Sequence, residues 1–128
     1  MQKLPALSLS VSLNILRVTI ALIFAAHAAA RIAFETIPIF GEFLESKGLP
    51  AGNALVWGIT AFEIIGGILL ALGYMQRLIA YLLIVLLIVG IVLIHAQLGW
   101  WVGEHGDGGM EYSVALIAGL LVIAAEKK

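Results

Sequence analysis

The chain has 128 residues, 62% hydrophobic and 12% charged, with a mean hydropathy of +1.11. Soluble domains carry about 25% charged residues, and so short a chain has no interior large enough to hide this much apolar surface, so a bilayer is its expected environment. A net charge of −1 offers no basic surface to nucleic acid, and the lack of cysteine excludes disulfides, thiol catalysis and thiolate metal sites.

Four apolar segments follow in chain order, at about 7–34, 52–74, 78–98 and 110–125. Each is read as a membrane-crossing helix, because crossing takes roughly 20 apolar residues and backbone groups in lipid must pair within their own segment. The first contains "AAHAAA" (25–30), which is similar to a signal-peptidase site. Arg17 would then fall inside the leader's apolar core, so cleavage is not expected. The connection "ETIPIFGEFLESKGLPAGN" (35–53) has Pro38 and Pro50 as breakers. Between them, Ile39, Phe40, Phe43 and Leu44 form an apolar stripe opposite Glu42, Glu45 and Lys47, which predicts a short interfacial helix. After the second segment, "GYMQR" (73–77) is a tight turn with Gly73 as helix stop. The third segment includes "LIAYLLIVLLIVGIVLI", which has no charge. The loop "GWWVGEHGDGG" then leads into the fourth segment, the shortest. The fold class expected is all-α: one polytopic membrane domain over residues 1–128, a four-helix bundle with an added interfacial helix.

Lys3, Arg77, Lys127 and Lys128 fall on the side that holds both termini. Glu35, Glu42, Glu45, Glu104 and Asp107 oppose only Lys47 on the other side, with Arg31 near its boundary. The positive-inside rule makes both termini cytoplasmic, and a cell inner (cytoplasmic) membrane is the expected location.

Arg17, His27 and Arg31 lie on the first helix and Glu63 on the second. A charge at the bilayer centre costs at least about 2.5–3.5 kcal/mol, so such groups pair and face the bundle interior. Counting about 1.5 Å per residue from the helix starts puts Arg17 and Glu63 both near the midplane, and an Arg17–Glu63 ion pair is predicted. The same counting brings His27, His95 and Glu111 to one layer near the far face. Arg31, Glu104, His105 and Asp107 lie just above it. Histidine and carboxylate beside a lipid-accessible pocket suit proton exchange with a quinone. Two histidines on different helices also suit a haem, and His27, His95, His105 and Glu111 are potential metal ligands. Alternatively, the charges serve folding alone. Trp100 and Trp101 read as interfacial anchors, with stacking on a ring-shaped ligand as the alternative. A small-residue face at Ala25 and Ala29 suits bundle packing or a homo-oligomer.

Three stretches together resemble the DoxX family. They are "LRVTIALIFAAHAAAR" (16–31), "FEIIGGILLALGYMQR" (62–77) and "IHAQLGWWVGEHGDGGMEYSVAL" (94–116). Ala21 and Ala28 stand where that family often has glycine, and Arg31 where it often has lysine. The resemblance implies a four-helix integral membrane protein related to the membrane subunit of thiosulfate:quinone oxidoreductase. It implies a quinone as cofactor, a partner oxidoreductase, and functional positions at Arg17, His27, Arg31, Glu63, His95, Glu111 and Tyr112.

Overall fold

A computed structural model describes residues 3–104, 106 and 108–127. His105, Asp107 and Lys128 lie outside the described residues. Five α-helices follow one another: α1 (Leu9–Ala33), α2 (Ile37–Ser46), α3 (Gly52–Leu72), α4 (Gln76–Leu93) and α5 (Glu111–Ala125). A single turn of 3₁₀ helix (His95–Leu98) lies between α4 and α5. Among the described residues there is no strand. Helices α1, α3 and α4 are each long and apolar enough to cross a membrane, whereas α5 has 15 residues, or about 22 Å of helix. The protein is a helical integral membrane protein.

Local chemistry explains several boundaries. Helix α1 begins at Leu9, slightly inside the apolar run, because the Ser8 hydroxyl accepts the Val11 N–H at 3.1 Å and caps the first turn. Helix α3 ends at Gly73, whose φ of 79° suits a residue without Cβ. Tyr74 N–H then reaches back to the Leu69 carbonyl at 2.8 Å, and so closes the helix. Helix α4 therefore starts at Gln76 rather than 78. It stops at Leu93 rather than 98, because Ile94 leaves helical geometry and the chain tightens into the 3₁₀ turn. His95 accordingly belongs to the 3₁₀ turn and not to the long helix.

Helix α2 forms where the sequence predicts a short helix, but its inward face differs from the expected stripe. Ile37, Gly41 and Leu44 are buried, Phe40 and Phe43 pack beside them, and Ile39 points outward. The reason is a close crossing of backbones at Gly41 and Gly52. A Cβ on Gly41 would come within 2.9 Å of the Asn53 nitrogen. That contact turns the Gly41 face, and not the Ile39 face, toward α3. Glu45 then accepts the Gly52 N–H at 2.9 Å, which places a carboxylate on the positive end of α3.

Contacts concentrate between α1 and α3 and between α4 and α5, with fewer joining one pair to the other. One apolar cluster ties all four long helices together; Ile20, Phe24, Leu70, Leu83 and Leu120 are at its centre. Large apolar side chains such as Leu22, Ile65, Ile68, Leu82, Val85 and Leu121 cover the outside of the bundle, as expected for a surface solvated by acyl chains.

Candidate functional site

A cavity of about 280 Å³ opens between the two helix pairs, in the half of the bundle away from the termini. Its walls are mostly apolar: Ile23 and Phe24 from α1, Ile59 from α3, Leu86 and Leu87 from α4, and Leu116 from α5. His27, Arg31, Glu63, His95, Tyr112 and Ser113 supply its polar atoms, and Phe40 and Leu44 of α2 line its upper part.

The strongest interaction in the cavity joins Arg31 and Glu63, with Arg31 Nη1 at 2.9 Å from Glu63 Oε1. The same nitrogen donates to Thr60 Oγ1 at 2.9 Å, and the guanidinium lies 5.4 Å from the centre of the Phe40 ring. Thr60 and Glu63 stand three residues apart on α3, so one helix face presents a hydroxyl and a carboxylate to the same guanidinium. Both are almost fully buried, Glu63 at 4% exposure. In so apolar a setting neither charge is stable without the other.

This geometry corrects the Arg17–Glu63 pair expected from depth. Glu63 pairs with Arg31, while Arg17 Nη1 lies 3.9 Å from Glu126 at the end of α5 and 2.8 Å from Asn14 Oδ1. The cause is the register of α1 on α3. A Cβ on Gly67 would sit 3.0 Å from the Ala21 carbonyl oxygen and 3.4 Å from Ala25 Cβ, so Gly67 is level with residues 21–25. One turn further up α3, Glu63 is then level with His27, and about ten residues (roughly 15 Å) of α1 separate it from Arg17. Ala25 also finds its partner here, in contact between α1 and α3.

His27 and Tyr112 face each other across α1 and α5, with ring centres 6.2 Å apart and planes inclined by 30°. His95 Nδ1 lies 2.8 Å from the Gly108 carbonyl oxygen. A carbonyl only accepts, so Nδ1 carries the proton and the other ring nitrogen of the neutral imidazole is left as an acceptor. Glu111 does not join the histidines. Its Oε1 accepts the Val102 N–H at 2.9 Å, and it does not line the cavity. It is held on the loop because that loop doubles back on itself: Gly109 N–H donates to the Trp101 carbonyl and Glu111 N–H to that of Trp100. Trp100 is exposed and lies outside the cavity lining. Among the described residues, no three of histidine, cysteine, aspartate and glutamate gather closely enough to hold a metal ion.

The site thus assembles His27, Arg31, Glu63, His95 and Tyr112 and leaves out Arg17, Glu111 and Trp100. It adds Thr60, Ser113 and the Gly108 carbonyl, which are not among the site residues expected from the sequence, and Phe40, expected only as part of an interfacial stripe. Thr60 had a signal, since it is a hydroxyl one turn before the one acid of an apolar helix. Ser113 and Gly108 had none.

Comparison with known proteins agrees with the pattern of residues. The DoxX family model matches residues 12–96, about two thirds of the chain. No curated protein and no solved structure matches it. A match over that length, on an all-helical membrane fold, settles its kinship: the chain belongs to the DoxX family.

Proposed function

We propose that this protein is a quinone-linked membrane subunit, in which the cavity binds a single-ring headgroup and a partner oxidoreductase handles the electrons. The observation that carries this reading is the cavity itself, with apolar walls and a few convergent polar groups, as small-molecule sites have. Its volume of about 280 Å³ suits one ring and the start of a tail better than a tetrapyrrole. A bound quinone would carry two electrons and two protons.

The residues of the chain would do the rest. With Nδ1 held by Gly108, His95 presents its other nitrogen as a proton acceptor, and as a donor once protonated. Arg31, fixed by Thr60 and Glu63, offers its remaining N–H groups to a carbonyl oxygen. His27 and Tyr112 flank the opening with flat surfaces for stacking. A folding-only role for these charges has no need of the space beside them. In this reading the protein lies in the cytoplasmic membrane with both termini on the cytoplasmic side.

Titrating the purified protein with a short-chain quinone, as wild type and as His95→Ala, tests the proposal. Losing one hydrogen bond from His95 predicts roughly tenfold weaker binding. Equal affinity for both proteins, or binding to neither, would end it.

A further inference from the structure

We infer that the Arg31–Glu63 cavity communicates with water only on the face opposite the termini, so that protons and polar ligands reach the pair from that face alone. The inference rests on packing, independently of what the cavity binds.

The rim of the cavity is built from helix ends on that face. Arg31 lies two residues before the end of α1, His95 just beyond α4, and Tyr112 at the second position of α5. Beneath the cavity the polar atoms stop. Ile20, Ala21, Leu70, Ile79, Ala80, Leu83, Leu120 and Ile123 fill the interior, none more than 4% exposed. Glycines draw the backbones together at this level. Gly67 rests on the Ala21 carbonyl, and a Cβ on Gly119 would lie 2.6 Å from Ile20 Cδ1. A Cβ on Gly66 would meet Ile79 Cγ2 of α4 at 3.6 Å. A water in such a layer would lack the two to four polar partners that hold buried water, and a charge crossing it would be unpaired.

Polar atoms return only near the termini, where Gln76 donates to the Ile123 carbonyl and to Glu126. Arg17 Nε and Gln76 Oε1 have no partner there and are shielded from solvent. A second cavity, of about 300 Å³, lies among Gly73, Met75, Gln76, Arg77, Leu78 and Glu126, and it shares no residue with the first. The bundle thus has two separate polar ends and an apolar plug between them.

The absence of cysteine from the chain makes the test direct. In full-length protein, Ser113→Cys places a near-isosteric thiol in the cavity and Ala21→Cys places one in the plug. Sealed vesicles of known orientation, fixed by protease access to a C-terminal tag, are treated with a charged, membrane-impermeant methanethiosulfonate. Ser113→Cys should be modified from the face opposite the termini and show no labelling from the terminal face. Ala21→Cys should resist from both. If Ser113→Cys does not fold, Gly90→Cys replaces it, since a Cβ there meets nothing nearer than His95 Cδ2 at 3.9 Å. Labelling of the cavity thiol from the terminal face, from both faces, or from neither overturns the inference, as does labelling of Ala21→Cys. No quinone is added, so failure to bind one would leave this result standing.

Discussion

Arg17 and Arg31 stand on the same helix, and both are largely withdrawn from solvent, yet the bundle treats them differently. Arg31 has a carboxylate and a hydroxyl, each at 2.9 Å from one nitrogen, with open space beside it. Arg17 has its carboxylate at 3.9 Å, an Asn14 oxygen one turn back, and an Nε with no partner. The first pair is tight and faces a cavity. The second is loose and lies against the end of α5, where Gln76 and Arg77 also bond to carbonyls of α5. Burial of a charge in a membrane helix therefore does not by itself mark a site. What sets Arg31 apart is a close partner at the edge of a largely apolar cavity, whereas Glu126, which borders the second cavity, stays 3.9 Å from Arg17.

The comparison breaks most sharply at Glu63. Glu63→Ala leaves Arg31 without its counter-charge in a desolvated position, and a loss of about 3–5 kcal/mol is expected. Unfolding in a fixed detergent micelle measures it. An effect below about 1 kcal/mol would mean that water or lipid headgroups already solvate Arg31, and that the two arginines differ less than their geometry indicates.

Gly67→Val comes next. Its side chain would run into the Ala21 carbonyl, a backbone atom with no rotamer to change, so α1 and α3 must separate. Overpacking of this kind costs about 1–3 kcal/mol. The same variant tests what keeps the two polar layers apart, because the Gly67 contact sets the register that brings Glu63 to Arg31. If Gly67→Val leaves stability unchanged, that register has another origin.

Much of this was legible in the sequence. Apolar length marked the spans, Gly73 marked a turn, and the rule that membrane charges are paired and inward selected Arg17, Arg31, His27 and Glu63. The pairing itself is not legible there, because depth along each helix, counted from the face where that helix starts, does not fix how far α1 and α3 are shifted against each other. Helix α2 and the Gly41–Gly52 crossing set where α3 begins, and the Gly67–Ala21 contact sets where it meets α1. Both are properties of two segments together. The early end of α4 was hidden for a related reason: "LIHAQL" continues the apolar run, and His95 is positioned from outside, by a carbonyl of the loop. Glu111 was placed at the correct end of the bundle, but hydropathy does not indicate that a loop N–H would claim its carboxylate.

A smaller net effect is expected when both members of the tight pair are replaced. Arg31→Met with Glu63→Leu removes two buried charges and keeps most of the volume, and such exchanges are often neutral or stabilising. The double variant should lie within about 1 kcal/mol of wild type, well above Glu63→Ala, with an interaction energy of at least about 2 kcal/mol in the full cycle, since either single change strands a buried charge. It should also lose quinone binding. Stability kept while binding is lost would separate the site from the scaffold; both kept would remove the pair from any functional role.

The smallest change is expected at Arg17, and it is the most informative about the other end of the bundle. Arg17→Met keeps the aliphatic stem that packs among α1 and its neighbours and removes a guanidinium whose Nε has no partner. Glu126, the carboxylate left behind, lies at the end of α5 with 15% of its side chain exposed and keeps the Gln76 amide at 2.8 Å. It therefore keeps another donor when Arg17 is gone, whereas the donor to Glu63 is Arg31 itself. Loss of a weak contact offset by relief of an unpaired N–H predicts a change within about 1 kcal/mol. A loss comparable to that of Glu63→Ala would show that the 3.9 Å contact understates the attraction across the terminal end. The two arginines would then be equal fastenings, each with a cavity beside its carboxylate.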